Sequence, residues 1–174
     1  MRQETKERIA ASISNFRLPR YQEIPNVGLY LEQASKYVSE YLAVLGGDGL
    51  TPSMISNYVK KGLIDSPQKK QYSRDQLAYL LFIGLAKNVL SLDGLADFFQ
   101  LQRRTYPLPV AYDYFCQEFE NLLFFSFDLR DTVESGGEDV SDEKRLLYTC
   151  IVAAVQKVYL EKCLRAIAQE EENL

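Results

Sequence analysis

Histidine is missing altogether from this chain of 174 residues, which removes both the commonest general base and the commonest transition-metal ligand. Cysteine is scarce: Cys116, Cys150 and Cys163 stand far apart inside apolar, helix-spaced patterns. Three such thiols read as buried free cysteines rather than a disulfide or a metal site. There is no glycine-rich phosphate loop, no Gly-x-Ser-x-Gly elbow and no Cys-x-x-Cys pair, so the usual motif-borne chemistries have no foothold. The expectation is a protein that is not an enzyme and carries no cofactor and no metal. Long hydrophobic runs are missing too. The longest, 77–86, falls far short of the roughly 20 residues that cross a bilayer, and the first residues are charged and polar without an apolar signal core. No membrane association and a cytoplasmic location are expected.

What is present is ample material for a core, with 47% hydrophobic and 12% aromatic residues. The net charge of −4 is spread unevenly. Residues 1–50 hold six basic and six acidic side chains, residues 51–109 eight and four, and residues 110–174 six and fourteen. The three segments therefore carry 0, +4 and −8. Screening acts over about 8 to 10 Å at cellular salt, so a local basic patch can bind phosphate while a distant acidic surface leaves it active. The asymmetry suggests a basic reader joined to an acidic partner region.

The basic part centres on 51–99. Thr51 followed by Pro52 starts a helix, because the threonine hydroxyl can cap a free N–H and proline lacks the N–H that a first turn cannot use. Gly62 ends it. At 100° per residue Met54, Ile55, Tyr58, Val59 and Leu63 gather on one side, and Ser53, Ser56, Asn57, Lys60 and Lys61 on the other. The free side contains no acid and is rich in donors suited to phosphates and base edges. A turn follows at 65–74, in which Pro67 blocks helix continuation and Lys69 and Lys70 project from a small hairpin or wing. Ser73 caps a helix that is apolar nearly all round, through Leu77, Leu80, Leu81, Phe82, Ile83 and Leu85, and should lie in the core. Ser91 caps a last helix that presents Leu92, Leu95, Ala96, Phe98 and Phe99.

Ile55, Ser56, Asn57 and Tyr58, the run Lys61-Gly62-Leu63-Ile64, Pro67, the run Tyr72-Ser73-Arg74-Asp75 with Leu77, then Phe82-Ile83 and Leu90-Ser91-Leu92 together resemble the DNA-binding domain of the MerR regulators, in order and spacing over roughly fifty residues. With Leu18-Pro19-Arg20-Tyr21-Gln22-Glu23-Ile24-Pro25-Asn26 and the start Leu29-Tyr30-Leu31, the chain resembles more closely a bacterial family catalogued as domain of unknown function 1836, thought to be regulator-like. The wing departs from the MerR pattern. Lys69-Lys70-Gln71-Tyr72 is shorter and lacks the glycine and the arginine that flank the tyrosine there. The metal-sensing cysteine loop of some MerR proteins is also absent.

The resemblance implies an all-α, mainly helical fold: a MerR-like winged helix-turn-helix with a small wing plus a C-terminal α-helical hairpin. Its implied function is a DNA-binding transcriptional regulator. The helix at 52–61 would lie in the major groove, with Ser53, Ser56, Asn57 and Lys60 toward the bases, while Tyr58, Lys61, Lys69, Lys70 and Arg74 hold phosphates. The alternative is a non-enzymatic protein–protein interaction module on the same kind of fold.

Three regions follow. Residues 1–25 form an N-terminal arm, in which 1–15 is a mobile helix or a ragged tail and Phe16, Leu18, Tyr21 and Ile24 fasten an extended segment to the body. Residues 26–105 form the reader. Asn26 caps its first helix, whose stripe of Tyr30, Ala34, Tyr37, Val38, Tyr41, Leu42 and Leu45 reads as core and which glycines at 46–49 end, leading into a loose loop. Residues 100–109, with Arg103 and Arg104, form a linker that either extends the basic surface or is simply solvated. The C-terminal region, 106–174, has a helix over 110–127, an exposed acidic loop over 128–140, and a long helix capped by Ser141. Its leftover apolar stripe calls for the reader or a second copy of the chain, so a homodimer on double-stranded DNA is expected. Tyr112, Phe115, Phe119 and Phe125 either pack plainly or line a cavity for a small-molecule effector, and a protein effector could also act through these C-terminal helices.

Overall fold

Each serine or threonine cap legible in the sequence has its hydrogen bond in the computed structural model, which describes residues 1–132 and 141–172. Thr51 Oγ1 accepts from Met54 N at 3.2 Å and opens α3 (Pro52–Lys60). Ser73 and Gln76 cap each other reciprocally at the start of α4 (Arg74–Ala86). Ser91 accepts from Gly94 N to open α5 (Leu92–Thr105), and Ser141 accepts from Lys144 N to open α7 (Asp142–Glu172). Two further helices precede these, α1 (Gln3–Ile13) and α2 (Leu31–Val44), and α6 (Leu108–Ser126) lies between α5 and α7. Among the described residues the only sheet is a ribbon of two antiparallel strands, β1 (Leu29–Tyr30) and β2 (Gln71–Tyr72), with Leu29 opposite Tyr72 and Tyr30 opposite Gln71. The fold is mainly helical.

Several sequence expectations need correction. Asn26 does not cap α2. Residues 29–30 are extended, and Tyr30 N is satisfied by Gln33 Oε1 at 2.9 Å. Because a strand turns successive side chains to opposite faces, Tyr30 points outward at 54% exposure, whereas Tyr37 and Tyr41 are half-buried and pack edge to face. The loop after α2 is pinned rather than loose. Ser39 Oγ accepts from Leu50 N, Ser35 Oγ donates to Leu50 O at 2.6 Å, and Lys87 Nζ donates to Gly49 O. Residues 1–15 are not a ragged tail, since α1 buries Thr5, Ile9 and Ile13 and lies antiparallel to α7, with Arg2 N on Glu170 and Ser12 beside Lys162. The linker shrinks to Tyr106 and Pro107, because α5 runs on through Thr105 and α6 begins at Leu108. The acidic loop expected at 128–140 lies, from 133 to 140, outside the described residues.

The C-terminal pair is not a hairpin. Tyr106 meets Ser141, Lys144 sits over the ring of Tyr114, Ser126 meets Gln156 and Phe127 packs on Tyr159. Residue numbers rise together along both helices, so α6 and α7 run parallel. The chain leaves the far end of α6 at Asp128 and re-enters at Ser141 beside its near end. An antiparallel pair with a short connection is the commoner solution, and helical periodicity carries no information about direction.

One cluster of buried side chains, from Ile9 to Ala166, joins all three expected regions. In its middle lies α4, on which Leu77, Ala78, Leu80, Leu81 and Ile83 are fully buried. Gly84 lets α2 approach, because a Cβ there would stand 2.5 Å from Leu42 Cδ1. The extended arm crosses α6 and is held by three residues on one face of that helix. Tyr21 N donates to Asp113 Oδ1 at 2.7 Å, Cys116 Sγ donates to Pro19 O, and Glu120 Oε1 accepts from Leu18 N at 2.8 Å. Arg20 completes the clamp with a two-pronged ion pair to Glu120 at 2.8 and 2.7 Å. Phe16, Leu18 and Ile24 are buried as expected.

Glu120 is buried but Arg20 is part-exposed, so removing the carboxylate leaves a charge that water can reach and a backbone N–H without its acceptor, together costing about 1 to 3 kcal/mol. Glu120→Ala, which strands the Leu18 N–H, should therefore lower the urea midpoint by that equivalent, and Glu120→Gln, which keeps an acceptor for Leu18, should cost less. Burial also pushes the Cys116 thiol up from 9.0 to about 12 and the Cys150 thiol to about 11. A folded value above the unfolded one contributes stability that is complete below the unfolded value and is lost as pH rises through the window between them. Urea midpoints should hold up to about pH 8 and fall between about pH 9 and pH 11, by up to about 1.4 kcal/mol per pH unit for each thiol.

Candidate nucleic-acid interface

Helix α3 is amphipathic as its spacing requires. Ile55 and Tyr58 are buried and Met54 and Val59 half-buried, while Ser53, Ser56, Asn57 and Lys60 are exposed on the opposite side. The helix stops in a Schellman arrangement, with Gly62 N on Val59 O and Leu63 N on Tyr58 O, both at 2.9 Å. Gly62 takes φ +72 there, a value that favours glycine. Lys60 and Lys61 lie at the negative end of the helix dipole, where positive charge is favoured. Tyr58 does not belong with the phosphate-binding residues. At 5% exposure its ring is part of the core, and burial raises its phenol above the ordinary value. The two expectations placed on Tyr58, apolar-face packing and phosphate contact, competed, and packing wins.

The segment expected as a wing is a two-residue hairpin turn. Gln71 N donates to Gln68 O at 2.8 Å, and Lys69 and Lys70 between them take φ 50 and 64. Positive φ at both central residues is the type I′ turn, whose twist suits a hairpin and whose usual residues are Asn and Gly. Two lysines there hold a strained backbone that a smaller residue would relieve. Both side chains are exposed. With the described residues, the side chains of Ser53, Ser56, Asn57, Lys60, Lys61, Lys69 and Lys70 form no hydrogen bond or ion pair.

Arg74 has a different task from the one expected. Its Nε donates to Ile24 O at 3.0 Å, its Nη1 to Gln22 Oε1 at 2.9 Å and its Nη2 to Gln22 O at 3.4 Å, and the guanidinium lies over the Tyr21 ring. The Tyr21 hydroxyl in turn donates to the Asp75 carboxylate, and burial, together with that bond, lifts the phenol to about 12. Arg74 therefore ties the arm to the first turn of α4, and it is corrected from a phosphate contact to a positioning residue. Arg103 and Arg104 are exposed in the last turn of α5, where Arg103 Nε reaches the Tyr79 hydroxyl at 3.3 Å and its guanidinium stacks on that ring.

Sequence reasoning missed two surface groups beside the lysine turn. Tyr30 is exposed and pairs in register with Gln71, and Asn26 lines a shallow polar depression with Gln68, Gln71 and Ser73. The clue for Tyr30 was a choice between periods of two and 3.6 over a pair of residues, too short for either to register. Of the four aromatic residues expected to pack or to line a cavity, Tyr112 and Phe115 do line one, Phe119 is core, and Phe125 is 44% exposed. Cys116 and Cys150 are buried free thiols and Cys163 is a half-buried one. Among the described residues no three His, Cys, Asp or Glu side chains converge as a metal site would require, and no helix is long and apolar enough to cross a membrane.

A family model described as "Domain of unknown function (DUF1836)" matches residues 19–115, from the arm through the turn and α4 into the first half of α6. No curated protein and no solved structure matches the chain.

The strain in the lysine turn predicts a separation of stability from charge. Lys69→Asn with Lys70→Gly should raise stability by about 1 kcal/mol, read as a higher thermal midpoint at unchanged helix content by circular dichroism.

Proposed function

From a chain that belongs to the family of domain of unknown function 1836, we propose a DNA-binding transcriptional regulator. In this reading α2, the pinned loop and α3 form a helix-turn-helix of MerR-like type, and the β1–β2 ribbon with its lysine turn forms the wing. Helix α3 enters the major groove with Ser53, Ser56, Asn57 and Lys60 toward base edges. Lys61, Lys69 and Lys70 hold phosphates, which position the helix without reading sequence. The observation that carries the reading is the unpaired state of this surface: seven polar or cationic side chains on α3 and the adjoining turn, exposed and without a partner among the described residues, in a chain whose net charge is −4.

A homodimer acting in the cytoplasm completes the reading. Helix-turn-helix readers present two copies to half-sites about one helical turn apart, and α7 leaves Leu146, Leu160 and Leu164 more than half exposed. The same three leucines favour the second reading, a non-enzymatic interaction module that docks another regulator.

With Lys61, Lys69 and Lys70 as the phosphate contacts, a dimer neutralises about six phosphates, and log affinity should fall with log salt at a slope of about −5. Lys69→Glu with Lys70→Glu should abolish retention of genomic DNA fragments at moderate salt while helix content and self-association stay unchanged. Retention that ignores both salt and the charge reversal rules out the DNA reading and leaves the interaction module.

A further inference from the structure

Between α4, α5, α6 and the first turn of α7 lies a half-open cavity of about 240 Å³, and we propose that it is a binding site for an uncharged, planar apolar molecule of one or two rings. Its walls are aromatic and ordered. Phe82 stacks on Phe98 with ring centroids 5.4 Å apart, and it meets Phe115 nearly edge-on at 4.9 Å, while Tyr79 packs on Phe99 at 4.6 Å. Phe82, Phe99 and Phe115 are themselves buried, so the walls are fixed by core packing and require no rearrangement to receive a guest. Ring faces and edges so arranged favour a flat partner.

Size and polarity narrow the class. An apolar cavity of roughly 150 Å³ is large enough for benzene, so this one takes a bicyclic ring system or a substituted single ring. Around the rim the Tyr79 hydroxyl donates to Gln102 Oε1 at 2.9 Å, Gln102 Nε2 donates to Tyr106 O at 2.7 Å, and Thr105 Oγ1 donates to Leu101 O at 3.0 Å, while the buried hydroxyl of Tyr112, which also lines the cavity, has no hydrogen-bond partner among the described residues. A neutral guest can enter without stranding the rim groups, and burying a polar group without a partner is what most weakens apolar sites. At the mouth, Glu143 and Lys144 stand side by side on α7, which leaves no net sign to select an ion. The site joins the reader helices α4 and α5 to the C-terminal pair, and it stands whether or not α3 binds DNA.

The chain contains no tryptophan, so indole excited to the red of the tyrosines reports its own environment. Titrating the full chain into indole should give saturable binding at a single site with a blue-shifted emission. Ala111→Phe, which fills the cavity from α6, should weaken that binding by about tenfold or more. Should Ala111→Phe fail to fold by circular dichroism, Thr105→Phe at the rim is read in its place with the same expected loss. The Lys69→Glu, Lys70→Glu variant should bind indole as the parent does, which separates this site from the nucleic-acid reading. Indole emission that never saturates, or saturable binding that the filled cavity leaves unchanged, overturns the proposal.

Discussion

The two-pronged pair between Arg20 and Glu120 is the constraint on which the rest of the structure leans. Glu120 is 8% exposed, and it accepts the backbone of Leu18 as well as both prongs of the guanidinium, so its charge is compensated within a site that would otherwise penalise it. The pair holds the extended arm against α6. From there Arg74 grips the backbone of Gln22 and Ile24 and carries the arm to the start of α4. Two arginines, Arg20 within the segment 18–24 and Arg74 gripping its far end, thus join the C-terminal helices to the strand and turn that bear the lysines.

That arrangement explains why cationic residues close in sequence have unlike environments. Arg74 spends its three nitrogens on neighbours in the arm, whereas Lys69 and Lys70 hold strained backbone angles at a hairpin tip and form no side-chain hydrogen bond or ion pair with the described residues. Positive charge offered to solvent on a turn with positive φ at both central residues gains nothing for folding. Helix α3 shows the same division within nine residues, with its apolar side anchored by Ile55 and its polar side left open.

Much of the fold was legible because it is local. Thr51, Ser73, Ser91 and Ser141 each signal a helix start through a side chain and an N–H three residues on, and all four bonds form. The two faces of α3 follow from 3.6-residue periodicity alone. What failed was decided at long range. Tyr30 leaves the helical stripe because Gln71, forty-one residues later, pairs with it. Arg74 is withdrawn from the open surface by partners some fifty residues earlier.

The chain by itself therefore determined the helices, their caps, the apolar sides that form the core and the concentration of positive charge in its middle third, since each rests on spacing within a few turns. Tertiary structure alone decided that α6 and α7 run in the same direction, that α1 packs as a helix, and that an aromatic-walled cavity opens where α4, α5 and α6 meet. A periodic pattern says which side of a helix seeks cover. It carries no sign for the direction of the helix that provides it, and no measure of the space left when aromatic rings of fixed shape converge from several helices.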